Sequence, residues 1–457
     1  MKYIFVILSV FIFIGCSSKD IGSIKKSETK KQNIKVDENI TTKYIKPNVV
    51  LDLENIPQNI NSFIANATNE RKLFSIQNKY EKYYFSMWNK TKPRENLESI
   101  KWPFNSYRLG KSYGENFQLL KKDFFDEMLN NSNFKKYATL NLRAITLQET
   151  NIRAFPTTKP LLMNPKKAGE GFPFDYMQNS TVHANKPILL SHYSKDKEWA
   201  YVFTSFTSGW IKASSLVIID KIYTDTWQKA KQIRIIKENV AIYDNNKNFM
   251  FKSKIGMIFA LISENKNTFT ILTVSKSKNK KPLFIKSKIS KSIASKEILK
   301  LNKQNFKNII NEVKQTNYGW GGMYGQRDCS SMLRDLYAPF GIWLPRNSYQ
   351  QAQVGKIILL KNKSNKEKIE IIKNKAIPFQ TLLYKKGHIV LYLGTYKDEI
   401  IIFHNTWGIK TKKDGIEGRF VIGKPVFSTL SFGKGLRDYD ESSAILTNLK
   451  SMNIITN

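Results

Sequence analysis

The chain opens on two apolar runs, Ile4-Phe5-Val6-Ile7-Leu8 and Val10-Phe11-Ile12-Phe13-Ile14, behind Lys2 and ahead of Gly15-Cys16-Ser17-Ser18. A charged start, a short apolar stretch and a small residue before the cut predict a secretory signal over 1–16. The stretch is too short to span a membrane comfortably as a mature helix. Residues 17–50 are polar and rich in Lys, Ser, Thr, Asn and Asp, which predicts a flexible tether. Over 51–140 the pattern turns partly helical, with Phe117, Leu119-Leu120, Phe124-Phe125 and Met128-Leu129 at helix-like intervals. Trp102-Pro103-Phe104 predicts an extended interruption there. Over 141–220 short apolar runs alternate with turn signals: Ile188 to Tyr193 behind Pro187, Trp199 to Phe203, and Gly209-Trp210-Ile211. Such spacing predicts a small all-β barrel. A second set predicts another barrel over 221–292: Val240 to Tyr243, Phe249 to Phe251, Ile255 to Ile258 and Phe269 to Leu272. Helices and strands mix over 293–457, as in an α+β domain.

Composition changes this picture in two places. The chain has 457 residues, a 41% hydrophobic fraction and 12% aromatics, enough for several cores. Its formal net charge is +37, carried mostly by lysines that travel with Asn and Ile throughout, so much of the excess reads as a solvated face. A basic surface favours anionic partners, and export makes peptidoglycan or an anionic membrane surface better suited than nucleic acid. The second place is the cysteine count, which is two. Gly15-Cys16 resembles a lipobox, in which Cys16 is lipidated and becomes the first mature residue, although Phe13 and Ile14 stand where Leu and a small residue are usual. Cys329 is then an exported thiol without an intramolecular partner, and so a candidate for reactivity.

Cys329 closes the Gly-rich run Tyr318-Gly319-Trp320-Gly321-Gly322-Met323-Tyr324-Gly325-Gln326-Arg327-Asp328 and is followed by Ser330-Ser331. Met332, Leu333, Leu336 and Tyr337 form an apolar stripe at helical spacing that stops near Pro339. This predicts a helix with Asp328 as its N-cap and Cys329 in the first turn. There the helix dipole and unpaired N–H groups favour the thiolate, predicting a lowered pKa. The glycines are expected to let backbone pass close to a bound substrate. A Gly-rich loop before a helix can also cradle phosphate, but the Gly-Lys-Ser/Thr ending of a nucleotide loop is missing.

A cysteine nucleophile needs a base, and the chain has four histidines: His183, His192, His388 and His404. His388 opens the run Ile389 to Gly394, and His404 follows Ile400 to Phe403, with a turn-like Thr395 to Asp398 between them. A hairpin pairing Gly394 with Asp398 sets His388 directly opposite His404, with Cβ atoms about 5 Å apart. One histidine can then orient the other, the base-plus-orienter logic of a triad, but a one-residue slip would separate them. The competing reading is two buried histidines that merely hydrogen-bond; the lone Cys at a helix start favours catalysis. His183 and His192 lie in the barrel-like region with no nucleophile beside them and read as structural or surface residues. Zinc-ligand spacings such as Cys-x-x-Cys or His-Glu-x-x-His are absent, so no metal or cofactor is expected.

These residues resemble the NlpC-type cell-wall cysteine peptidases, a papain-like family. Tyr318 to Gly322 with Asp328-Cys329-Ser330 looks like the nucleophile motif, Gly387 to Gly394 like the base strand, and His404-Asn405-Thr406-Trp407-Gly408 like the third polar position. Leu344 to Ser348 through Gln351 resembles the segment after the nucleophile helix, and Ser331 stands where many relatives carry Gly. Gly171 to Ser180 and Ser191 to Ser194 look like the first SH3-like domain of a subgroup with an N-terminal clip domain and two bacterial SH3-like domains. The resemblance implies a clip domain over 51–140, SH3-like barrels over 141–220 and 221–292, and a papain-like peptidase domain over 293–457. It implies cleavage of the γ-D-glutamyl-diamino acid bond in peptidoglycan stem peptides. Cys329 would be nucleophile, His388 base and His404 orienter, with the oxyanion on backbone N–H groups near Cys329. Tyr318, Asp328 and Ser330 would contact substrate, Asp328 and Tyr318 at a free N-terminal L-Ala that the first SH3-like domain helps select.

The competing functions are an amidase cutting the muramoyl-L-Ala bond and a wall-binding lipoprotein with a dead catalytic fold. The protein is expected to be a monomer, lipid-anchored on the periplasmic face of a Gram-negative membrane, with Ser17 favouring the outer one.

Overall fold

A computed structural model describes residues 48–67 and 79–456. The expected signal over 1–16, with Cys16, and the tether as far as residue 47 lie outside the described residues. Among the described residues no helix is long and apolar enough to cross a membrane.

The first described segment straps the C-terminal sheet. Ile56, Ile60, Phe63 and Ala67, around the short helical turns Leu51–Asn55, Ile60–Ser62 and Ile64–Asn66, are buried in one core with Leu333, Leu391 and Phe403. Polar side chains peg the strap at three places. Asp52 Oδ1 accepts from the backbone N–H and the hydroxyl of Thr429, each at 2.7 Å. Gln58 pairs with both backbone groups of Phe427, at 2.7 and 3.1 Å. Asn66 Nδ2 donates to the carbonyls of Leu393 and Thr395, at 3.0 and 3.2 Å.

Further along, Tyr80, Tyr84, Phe85 and Trp88 pack with Ile145, Val217, Trp227 and Ile258, so the clip region is bound into both barrels. Two expectations here are corrected. Trp102–Ser106 is a helix, because Pro103 sits in its first turn, where a missing N–H breaks no intrahelical bond. The apolar pattern from Phe117 becomes helix only at Lys122–Asn131, and Phe117 itself has a left-handed backbone in the preceding turn.

The first barrel is a seven-stranded antiparallel sheet in the order Gln178–Val182, Thr150–Arg153, Ser208–Lys212, Trp199–Phe203, Pro187–Tyr193, Leu142–Thr146 and Leu216–Ile218. The second has five strands, Pro282–Ser290, Thr268–Lys276, Ile258–Glu264, Gln232–Ile235 and Ala294–Ser295, with the small hairpin Ala241–Tyr243 and Phe249–Lys252 beside it. Ile255 to Met257, expected as strand, form a turn with Gly256 at φ +101°, and the strand starts at Ile258. Ala294 pairs with Ile235, so this sheet extends past the expected limit at 292.

The C-terminal domain is built on an antiparallel six-stranded sheet: Lys356–Leu359, Leu449–Ile454, Thr381–Lys385, His388–Tyr396, Glu399–Lys413 and Ile416–Thr429. The helix Cys329–Tyr337 packs against its central strands through Met332, Leu333 and Leu336.

The register of the His388 hairpin differs from the expected one. Lys397 and Asp398, both left-handed at φ 48° and 63°, form a tight turn that pairs Tyr396 with Glu399 and Gly394 with Ile401. Beyond it Tyr392 pairs with Ile402 and Leu391 with Phe403, so Leu393 is an extra residue, a β-bulge. Continuing that register sets His388 level with Thr406, not His404. The two histidines are therefore diagonal neighbours on one face. Without the bulge the turn's register would send them to opposite faces. The Asn66 amide spans this bulge, and a Cβ on Gly394, whose φ is +103°, would come within 2.5 Å of it. A Gly394→Ala variant is expected to lose about 1–3 kcal/mol of stability from the backbone conformation alone, read as a lowered midpoint in thermal denaturation. An unchanged midpoint would mean the bulge is not held as described.

Candidate active site

The nucleophile helix begins as its residues dictate. The Asp328 carboxylate accepts from the Ser331 backbone N–H at 2.8 Å, and the Ser331 hydroxyl accepts from the Asp328 N–H at 2.9 Å, a reciprocal capping box. Ser331, the departure from the family pattern, is thus part of the cap. Cys329 follows in the first turn and is 8% exposed. Its thiol is not activated in the free protein as expected. Burial, and then the Asp328 carboxylate beside it, push it up to about 12, against smaller opposing effects of the Ile389 N–H, Arg346 and the Ser330 N–H. Here burial and the adjacent carboxylate outweigh the helix N-terminus.

The glycines before the helix also serve a different purpose from the expected one. Gly321 and Gly322 are left-handed, at φ 59° and 84°, and lie against the strand Gln178–Val182 of the first barrel. A Cβ on Gly321 would meet the Gln178 carbonyl at 2.5 Å, and one on Gly322 the Thr181 hydroxyl at 2.6 Å. Thr181 Oγ1 donates to Gly322 O at 2.8 Å, and Trp320 Nε1 to Asp175 O at 3.0 Å. The close approach these glycines permit is to the first barrel.

Asp328 is buried in a small network. Arg346 donates to both its oxygens, Nη2 to Oδ2 at 2.6 Å and Nη1 to Oδ1 at 3.2 Å, and a third donor, Nε, reaches Ser180 Oγ of the barrel at 2.6 Å. Ser330 Oγ donates to Asp328 Oδ1 at 3.2 Å. Burial opposes the Asp328 charge, but Arg346 and the capping N–H hold its carboxyl below the usual range. Tyr318, close enough to feel Cys329 and Asp328, is half-buried, and its phenol is held well above its ordinary pKa, first by desolvation.

The histidines form a directed chain. His388 Nε2 lies 2.9 Å from His404 Nδ1, and His404 Nε2 lies 3.0 Å from Ser428 Oγ. The Ser428 hydroxyl also lies 3.1 Å from the Thr429 carbonyl, and in the arrangement in which it donates there it accepts from His404. His404 then carries its proton on Nε2 and accepts at Nδ1 from His388 Nε2–H. That leaves His388 Nδ1 as the unprotonated nitrogen. Burial, then Lys385, bring His388 down to about 3, and burial, then His388, hold His404 well below its usual value. Burial thus favours the neutral forms of the thiol and of both imidazoles in the free protein. Asn405, next to His404, donates to the Arg327 carbonyl at 2.7 Å and ties this strand to the approach to Cys329.

His388 and His404 open into a cavity of about 340 Å³ lined also by Tyr318, Trp407, and Phe174 and Gly169 from the first barrel. His183 and His192 are elsewhere. His183 bridges Glu149 at 3.0 Å and Asp335 at 3.2 Å, in an ion cluster that also holds Arg327 and Glu238. His192 is buried beside Tyr201, donating Nε2–H to the Ser132 carbonyl, and burial brings it down to about 4.

Comparison with known families matches this arrangement domain by domain. Residues 5–137 match the NLPC_P60 stabilising domain, 160–212 an SH3 domain of SH3b1 type, 223–266 an SH3 domain of SH3b2 type, and 315–417 the NlpC/P60 family. The chain carries an NlpC/P60 domain. Its fold is shared with an NlpC/P60 endopeptidase from Photobacterium damselae subsp. piscicida, at 24% identity and TM-score 0.74 over 88% of this chain and 98% of that one. An NlpC/P60 family protein from Bacillus cereus aligns at 13% identity and TM-score 0.46, over 69% of this chain and 100% of that one. No curated protein matches the chain. The NlpC/P60 domain makes it a cysteine peptidase of the cell-wall hydrolase class, and the paired SH3 domains suit binding to a cell-wall substrate.

Within this NlpC/P60 domain, sequence reasoning missed Ser428, whose only signal is its pairing opposite Ile402, two residues before His404. Replacing Ser428 by Ala leaves His404 free to hold either tautomer, and kcat is expected to fall about tenfold, the scale of one lost hydrogen bond to a functional group. Ser428→Thr, which restores the hydroxyl, is expected to recover most of it; equal loss in both variants would indicate a packing effect instead.

Proposed function

We propose that this protein is an endopeptidase that hydrolyses the γ-D-glutamyl-diamino acid bond of peptidoglycan stem peptides with a free N-terminal L-Ala, anchored by Cys16 on the periplasmic face of the envelope. The observation that carries the reading is the directed chain from Ser428 through His404 to His388, on the strand whose Ile389 N–H faces the Cys329 thiol. Cys329 Sγ attacks the γ-carbonyl of D-glutamate while its proton passes to His388 Nδ1. A carbon–sulfur bond forms, and the oxyanion rests on backbone N–H groups at the start of the helix. The carbon–nitrogen bond then breaks as His388 returns that proton to the leaving amine. Water, deprotonated by the same nitrogen, attacks the thioester, and the released thiolate takes the proton back.

The preference for short stems draws support from the barrel wall. Ser180 of the barrel holds the Arg346 that holds Asp328. Asp328 Oδ2 accepts only from Arg346 among the described residues, leaving a lone pair for an ammonium beside the un-ionised Tyr318 and Ser330.

Defined stem peptides and mass spectrometry test this reading. Cleavage of L-Ala-γ-D-Glu-diaminopimelate is expected to release the L-Ala-D-Glu dipeptide, and Cys329→Ala to abolish it. His388→Ala is expected to lower kcat about a thousandfold, within the range of general acid–base catalysis. Release of an intact stem from muramic acid would assign an amidase. Sedimentation with peptidoglycan but no hydrolysis by the unmodified protein would assign a binding lipoprotein.

A further inference from the structure

The cavity at the two histidines has a charge pattern that the reaction chemistry leaves unused. Lys385, Lys386, Lys410 and Arg419 line it, and no Asp or Glu does. Lys410 is spent on Glu417 at 2.5 Å and Asp440 at 3.1 Å. Lys385 and Arg419 are not. Lys385 sits directly opposite His388 in the hairpin and donates only to the Ser443 carbonyl, at 2.8 Å. Arg419 donates to the neighbouring Gly418 carbonyl at 3.2 Å and lies against the Gly169 loop of the first barrel. Neither makes an ion pair among the described residues. The two cations are close enough that Arg419, after burial, helps hold Lys385 below its ordinary pKa. Glu417 and Asp440 act on Arg419 from nearby without pairing with it, and Lys385 has no such carboxylate beside it. Two partly desolvated cations without a direct ion-pair partner, facing one cavity, favour an anionic ligand.

The direction of the reaction identifies which part of the substrate lies there. The group that protonates the leaving nitrogen must touch it, so the residue on the leaving side of the cut bond occupies the His388 cavity, away from the Asp328–Arg346 network. We propose that Lys385 and Arg419 form a carboxylate-binding subsite for the residue released from the cut bond, and select a diamino acid with a carboxylate at the far end of its side chain over one that ends in an amine alone. The inference rests on the endopeptidase reading above. Diaminopimelate presents a carboxylate both beside the leaving nitrogen and at its distal end, whereas lysine ends in an ammonium that Lys385 and Arg419 repel. A bound carboxylate also offsets the Lys385 charge that disfavours the His388 imidazolium formed in the reaction.

The test compares L-Ala-γ-D-Glu-diaminopimelate with L-Ala-γ-D-Glu-L-Lys on the full-length protein, Arg419→Gln, Lys385→Gln and the charge-conserving Arg419→Lys. The unmodified protein is expected to favour the diaminopimelate peptide at least about tenfold in kcat/KM, the scale of one charge-assisted contact. The ratio should fall toward one in Arg419→Gln and Lys385→Gln and be largely kept in Arg419→Lys. A parallel calorimetric titration of Cys329→Ala with free diaminopimelate and with free lysine separates this subsite from the endopeptidase reading. Tighter binding of diaminopimelate, lost on adding Arg419→Gln, supports the subsite whichever bond is cut. Equal hydrolysis of both peptides, a ratio unmoved by the Gln variants, or equal binding of the two free amino acids overturns it. Failure to cut either peptide at the γ-D-glutamyl bond overturns the endopeptidase reading, and the titration still decides the subsite.

Discussion

The hydrogen bond between His388 Nε2 and His404 Nδ1, 2.9 Å long, depends on a one-residue irregularity in the sheet. The tight Lys397-Asp398 turn fixes one register and the histidines need the other, and Leu393 is the residue that reconciles them. The strap at the start of the described chain holds the parts of this arrangement that the peptidase sheet alone leaves open. Asn66 spans the bulge, while Gln58 and Asp52 hold Phe427 and Thr429 on either side of Ser428. The strap thus reaches both ends of the proton-directing chain without entering the cavity, which gives a physical sense to a stabilising N-terminal domain.

The resting electrostatics follow from burial. Burial pushes the thiol up to about 12 and brings the imidazole down to about 3, so it favours proton transfer coupled to attack over a charge pair formed in advance. The fixed tautomer matters more in such a site than in one with a preformed thiolate, because the base must offer the correct nitrogen from the start.

Much of this was legible in the chain. The Met332-Leu333-Leu336-Tyr337 stripe gave the nucleophile helix its limits, and Asp328 its cap, because both are local patterns. The short strands of the first barrel appeared where apolar runs and turn residues placed them. What was not legible depended on residues far apart in sequence. The bulge at Leu393 leaves the hairpin's apolar pattern intact, so the predicted register missed it while still assigning both histidines to one face. Ser428 is a common residue at an unremarkable position until the third strand is laid beside the second. The raised thiol could not be read from a helix-start argument, since that argument leaves out burial and the neighbouring carboxylate, which the fold makes the larger effects. The glycines before Cys329 carried a true signal of close approach, but not the identity of the partner, Gln178 and Thr181 of another domain.

The central claim is that Ser428 and His404 fix the proton of His388 on Nε2 and leave Nδ1 as the base. Nitrogen-15 NMR of the histidine side chains in the full-length protein tests it most directly. At neutral pH the His388 Nε2 signal should be that of a protonated ring nitrogen and the Nδ1 signal that of an unprotonated one. Because burial depresses its pKa, the pattern should persist unchanged to about pH 5, well below where an ordinary histidine gains its proton. A protonated Nδ1 at neutral pH, or a His388 titrating near the ordinary histidine value, would contradict the account.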